Sequence, residues 1–314
     1  MNDTSIEIQM TAILMSMFAG ILALVQIQTP SIHHIHLNDN NNDNDNDKSR
    51  MRLLPCPITQ PSKRTYEIYA LHYTPIWIAV FAVVVLFEVY EKLDAWGYDV
   101  LCVSLALPFL CHPFVTSLDR PIIERYSFKA NVWLLIYSFI GNYWYTHYFY
   151  SVLKAKYTMP AHRLNDVPIA LYFATHFYFS TYHVFSNVLL RWVDSSYEKG
   201  VRKTLLFWAV VICFSYFTAF METLTISSYP YYSFEDRNMA YTVGSAFYGI
   251  YFLVSFPAFY YFDNDVDSKE GGKRGMTLYE TVVSSCGAGM MILCLLDFVR
   301  LYLGVQLVIG SNDE

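Results

Sequence analysis

Apolar runs of 18 or more residues recur along this chain, each long enough to cross the hydrocarbon core of a bilayer as a helix. Eight can be delimited, near residues 9–27, 71–89, 99–117, 131–152, 167–190, 205–227, 241–262 and 280–303. A segment in lipid must satisfy its backbone polar groups internally, which leaves helices or a closed barrel. No run shows the alternating ten-residue pattern of barrel strands. The expected fold is therefore all-α, a polytopic membrane bundle of about eight helices, integral to the membrane and in contact with the lipid bilayer. Composition agrees: 15% of residues are charged, against about 25% in a soluble domain.

The basic residues suggest sidedness. Fifteen of the 21 Lys and Arg fall in the connections after the first, third, fifth and seventh runs. Arg191, Lys199, Arg202 and Lys203 accordingly read as cytoplasmic, with both chain ends on the far side. The net charge of −6 carries little weight, because acidic residues barely enter the rule.

Three regions are expected. Residues 1–62 read as an anchor helix with a linker, 63–303 as the functional bundle, and 304–314 as a short tail. Asn2, Asp3 and Glu7 stand where a cleavable signal would be basic, so the first run reads as a retained anchor. Asn2-Asp3-Thr4 is an N-glycosylation sequon, lumenal in this topology. Residues 38–47 are only Asn and Asp and read as a linker with no apolar surface to offset ordering. His33, His34 and His36 precede that tract without a fixed partner, so no metal is expected there. Cys102, Cys111, Cys213, Cys286 and Cys294 fall within runs and read as small buried apolar residues.

Ionisable side chains at membrane depth cost several kcal/mol unless paired or facing a protein-lined cavity, so each marks a candidate site. His176 and His183 are seven residues apart and share a helix face. At about 1.5 Å per residue, His147, Glu222 and Asp297 lie roughly 24 to 26 Å from the cytoplasmic face, and His176 about 14 Å in from the other side. Four helices thus bring ionisable groups into one half of the membrane. His183 is about 10 Å nearer the cytoplasm and reads as a packing or partner-orienting residue. Asp297 and Arg300, three apart, read as an intramembrane pair. Glu222 has no partner in its own helix and should be protonated or paired across helices, which makes it the strongest candidate. Glu88 and His112 lie near helix ends, within reach of water.

Tyr172, Phe173 and Phe179 share the face of His176, and Tyr143, Trp144, Tyr148 and Phe149 surround Asn142 and His147. Such clusters pack and anchor helices, and they also suit a flat apolar ligand or a carbocation. The chain has no GxGxxG after a strand, no Walker loop, no HExxH and no closely spaced histidine boxes. Acid and base chemistry by side chains is expected, with no metal, no cofactor and no nucleic-acid partner.

Four segments carry a specific likeness: ERYSFKANVW (124–133), GNYWYTHYFY (141–150), SYFTAFMETLTISSYPYYSFEDR (215–237) and YFLVSFPAFY (251–260). They resemble the cycloeucalenol cycloisomerase family, the sterol cyclopropyl isomerases. The resemblance runs from about Ser62 to Leu303, and the anchor and the Asn/Asp tract depart from the family pattern. It implies a cyclopropyl sterol substrate, an endoplasmic-reticulum membrane, and opening of the 9β,19-cyclopropane of cycloeucalenol to give obtusifoliol without redox change. An acid would protonate carbon 19, charge would develop at carbon 9, and a base would remove the proton at carbon 8. On this reading Glu222 donates and His176 or His147 accepts, with the reverse, an imidazolium acid and a carboxylate base, also open. Tyr143, Tyr148 and Tyr216 would support the cation, and Asn142 or His183 would bind the sterol hydroxyl. The competing reading is a membrane transporter or a sterol-binding receptor whose intramembrane His and Glu line a path.

Overall fold

The computed structural model describes residues 3–30, 52–152, 154–226, 229–235, 240–268 and 274–303. Each of the eight runs lies along a helical rod. The rods are α1 (Asp3–Gln26), α2 (Pro61–Leu86), α3 (Ala95–Val115), α4 (Tyr126–Ile140) continuing into α5 (Thr146–Val152), α6 (Ile169–Ser196), α7 (Val201–Ile226), α8 (Ser245–Tyr261) and α9 (Leu278–Leu303). Five-residue π-helical segments, Gly141–Tyr145 and Ala240–Gly244, join α4 to α5 and lead into α8. Among the described residues the strands are four of two residues each. β1 (Lys156–Tyr157) pairs antiparallel with β4 (Tyr232–Ser233), and β2 (Arg163–Leu164) with β3 (Val167–Pro168).

The protein is an all-helical integral membrane protein, and five helices are long and apolar enough to span: Pro61–Leu86, Ala95–Val115, Val201–Thr225, Ala240–Tyr261 and Leu278–Tyr302. The other three rods fall short of the expected eight for visible reasons. The apolar part of α1 is only Met10–Gln26. The fourth rod is interrupted by its π segment. α6 carries His176, His183, Asn187 and Arg191, all buried against other helices rather than facing outward. Asn2, His33, His34, His36, the tract 38–47 and residues 304–314 lie outside the described residues.

α6 stands among the other helices, in contact with α2, α3, α4, α7 and α8. The interior is aromatic: Trp133, Tyr137, Tyr145, Phe177, Phe247, Phe252 and Phe256 are almost completely enclosed. The outer faces are also apolar, with Leu86, Phe298 and Leu301 about 70% exposed or more. Buried aromatics inside and aliphatic faces outside are what a bundle in lipid presents. Of the five cysteines expected inside, Cys102 is buried, whereas Cys111, Cys286 and Cys294 are exposed on outer helix faces and Cys213 is half-buried. A thiol is as compatible with lipid as with a core, so its apolar character does not tell the two apart. The N-terminal helix packs along α7, where Met10 meets Phe220 and the Arg202 guanidinium donates to Ile27 O at 3.2 Å.

One end of the bundle is tied by buried charges. Arg191, expected in a cytoplasmic loop, lies inside α6 and grips Glu67 of α2 in a two-pronged ion pair of 2.8 and 2.9 Å, and Asn187 Nδ2 also donates to Glu67 at 2.9 Å. Lys63 Nζ donates to Tyr260 O at 2.7 Å and Asn264 Oδ1 at 2.6 Å. Lys129 pairs with the wholly buried Asp263. A buried charge persists only when paired or fully hydrogen-bonded: Arg191 and Lys129 are paired with carboxylates, and Lys63 is held by neutral oxygens. His112, expected near water, is buried with its ring 4.2 Å from that of Tyr69. The proline-bearing end of α3 folds inward beneath α2 and α4.

Candidate active site

The other end of the bundle holds a small recess with a cavity volume of about 70 Å³, lined by Asn142, Thr175, Glu222, Tyr232, Tyr248 and Tyr251 among others. Glu222 lies one turn before the end of α7, and its carboxyl finds the cross-helix partners that its own helix cannot supply. Tyr248 of α8 donates its hydroxyl to Glu222 Oε2 at 2.9 Å, and the Tyr182 phenol of α6 lies near the carboxyl. The side of the recess away from α7 is the α4–α5 rod. Its π segment inserts an extra residue into the helix and shifts the side chains that follow, a device common at functional sites. Asn142 sits in that segment. Its Nδ2 donates to Ser138 O at 2.8 Å and Thr175 Oγ1 at 2.7 Å. With both amide hydrogens engaged, Oδ1 is the acceptor left to the recess.

The β1–β4 ribbon forms part of the wall. Tyr157 and Tyr232 are register partners, their rings stack with centroids 4.4 Å apart, and both line the recess. Burial, reinforced by its neighbour Tyr232, pushes the Tyr157 phenol well above its ordinary pKa, and burial raises Tyr232 as well. Both stay neutral hydroxyls at physiological pH. Phe149 and Phe179 add apolar rings to the same recess.

The residues singled out from the sequence divide sharply. Glu222 and Asn142 line the recess together with the aromatics Phe149 and Phe179, and the other candidate site residues stand away from it. His176 is fully buried between α3, α4 and α6, and its Nε2 donates to Asn131 Oδ1 at 2.9 Å. The direction of that bond follows from Asn131, whose Nδ2 hydrogens go to Phe109 O and Ser127 O. His147 packs edge-on against Tyr150, with ring centroids 5.4 Å apart. In both helices the residue one step earlier, Thr146 or Thr175, faces the recess. A step of about 100° per residue turns the histidine off that face.

His183 accepts or donates only within the core. Its Nδ1 is 2.7 Å from Phe179 O and its Nε2 2.9 Å from Ser255 Oγ. Tyr143 stacks on Phe139 with centroids 5.5 Å apart. Tyr148 donates to Asp297 Oδ1 at 3.0 Å, and Asp297 also pairs with Arg300 at 3.3 Å. Tyr216 points at the N-terminal helix, its hydroxyl 3.8 Å from Met10 Sδ. Tyr182, Tyr248, Tyr157, Tyr232 and Thr175 escaped the sequence reading. The chain has 27 tyrosines, and neither periodicity nor charge separates these from the others.

A carboxyl held by the Tyr248 phenol within aromatic walls, with an oriented amide lining the same recess, suits proton transfer to a largely apolar substrate. No family model matches the chain, and no solved structure matches it. The chain is 39% identical over 263 residues to the cycloeucalenol cycloisomerase of Arabidopsis thaliana, an alignment that covers 80% of this chain and 91% of the relative. At that identity and coverage, the chain belongs to the cycloeucalenol cycloisomerase family, a family of isomerases.

Proposed function

We propose that this protein opens the 9β,19-cyclopropane ring of cycloeucalenol to give obtusifoliol, and that the recess around Glu222 is where it does so. The observation that carries the reading is the Glu222 carboxyl, hydrogen-bonded by Tyr248 inside an aromatic recess. A cyclopropane is a very weak base, so its acid must be held against the strained bond away from competing water. Glu222 protonates carbon 19, the bond between carbons 9 and 19 breaks, and positive charge develops at carbon 9. The ring faces of Tyr248, Tyr251 and Phe179 stabilise that charge until the carbon 8 proton leaves. Asn142 Oδ1 accepts the sterol hydroxyl and sets the depth to which the ring system enters. The reaction is redox neutral and draws on side chains alone.

The sterol reaches the recess from the bilayer of the endoplasmic reticulum. All eight rods cross or anchor in that bilayer, with residues 63–303 carrying the chemistry and the charge-tied end facing the cytoplasm. Membranes bearing the protein, supplied with cycloeucalenol, are expected to form a product of unchanged mass and altered chromatographic retention. Binding of labelled sterol with no conversion would instead make the protein a receptor.

A further inference from the structure

Ring opening needs two proton transfers, one to carbon 19 and one from carbon 8. Among the described residues lining the recess, the only carboxyl is Glu222, and no imidazole or amine joins it. The histidines that sequence reasoning offered as the second group do not line the recess. His176 spends its Nε2 proton on Asn131, and its Nδ1 is sealed in packed protein. His147 faces Tyr150, one helical step away from the recess. Asp297 is held by Tyr148 and Arg300. Several phenols lie close to Glu222: Tyr137 of α4, Tyr157 of β1, Tyr178 and Tyr182 of α6, Tyr232 of β4 and Tyr248 of α8.

We propose that Glu222 performs both transfers, acting first as the acid and then, as its own conjugate base, removing the second proton. The inference rests on the reading of Glu222 as the proton donor. In the first step the carboxyl O–H bond breaks, and the electron pair of the bond between carbons 9 and 19 becomes a new C–H bond at carbon 19. Glu222 is then a carboxylate facing a cation at carbon 9. In the second step the carboxylate takes the carbon 8 hydrogen as a proton, and that C–H electron pair becomes the 8,9 double bond. Glu222 is protonated again, nothing is oxidised or reduced, and no co-reactant is consumed.

The geometry of the substrate permits this. Carbons 8 and 19 are both bonded to carbon 9, so the two reacting positions are two bonds apart and within the span of one carboxyl group. Both transfers then occur on the face that carries the cyclopropane methylene. Tyr248 is a positioning residue, whose hydroxyl orients the carboxyl and stabilises its anionic form between the two steps. The carboxylate in turn stabilises the adjacent cation.

The test compares reconstituted wild type with Glu222→Gln, His147→Gln and His176→Gln, each checked for fold by tryptophan fluorescence and for sterol binding. Glu222→Gln is expected to lose roughly 10² to 10⁴-fold in kcat, the contribution of one general acid to the slower of two consecutive steps. The two histidine variants are expected to keep near wild-type kcat. Wild-type kcat is expected to fall only on the alkaline side, as one carboxyl loses its proton. A folded, sterol-binding histidine variant that loses about 10²-fold or more, or an acidic limb on wild-type kcat in folded protein, would overturn the single-carboxyl cycle while leaving Glu222 as one of two partners. Near wild-type turnover by Glu222→Gln would remove the underlying reading itself.

Discussion

The Tyr248 hydroxyl donates to Glu222 Oε2 at 2.9 Å, across the interface between α8 and α7. The two helices approach closely there. A Cβ added at Gly249 would stand in ordinary contact, 3.6 Å from both Ser215 O and Tyr216 Cα, so α8 runs directly against the α7 backbone. Tyr248, beside that glycine, is thereby fixed relative to Glu222. Tyr248→Phe keeps the ring and removes the donor. A hydrogen bond to a charged group contributes about 1.5 to 3 kcal/mol, so kcat should fall roughly 10- to 100-fold. Sterol affinity should change little, as read by steady-state turnover in nanodiscs.

Asn142 is predicted to act on binding rather than on the chemical step. Its amide is oriented by Ser138 and Thr175, and its oxygen is available to the substrate. Asn142→Leu should raise KM about 10-fold, the value of one hydrogen bond, with kcat nearly unchanged. An equal loss in kcat and kcat/KM would place Asn142 in the chemistry instead.

The far end of the bundle is predicted to govern stability. Arg191→Met leaves Glu67 buried with a single Asn187 hydrogen bond. Removing one partner of a buried pair costs about 3 to 5 kcal/mol. The thermal unfolding midpoint in detergent should drop markedly for Arg191→Met and recover in the double variant Glu67→Met, Arg191→Met. The double variant should also keep catalytic activity, because this network lies at the opposite end from Glu222.

Orientation has its own test. Lys199 is exposed in the connection between α6 and α7, on the side where basic residues concentrate. Lys199→Cys should react with an impermeant maleimide added to the cytosolic face of sealed microsomes, above the background of the native cysteines. Labelling only after the membrane is opened would invert the topology.

How much of this was legible in the sequence follows from which forces leave a one-dimensional trace. Lipid demands long apolar runs, so the helical class was legible from hydropathy, although five of the eight expected runs are helices long and apolar enough to span. Glu222 was legible for the same reason, since a carboxyl in such a run needs an explanation. His147 and His176 drew attention by charge, yet Thr146 and Thr175, one residue earlier, are the side chains that reach the recess. A single helical step separates the conspicuous residue from the one that faces the cavity, and no depth arithmetic resolves azimuth. Tyr182 and Tyr248 were hidden among many aromatics. Arg191 and Lys63 were hidden because a basic residue at a helix end looks the same whether it meets water or, as here, a buried carboxylate or carbonyl.

The most direct test of the account is a single-turnover measurement with purified, reconstituted protein and cycloeucalenol, comparing wild type with Glu222→Gln. The account predicts that wild type yields obtusifoliol, equal in mass to the substrate and distinct in retention. Glu222→Gln should bind the sterol with similar affinity and return it unchanged. Formation of obtusifoliol by Glu222→Gln at a rate near that of wild type would contradict it.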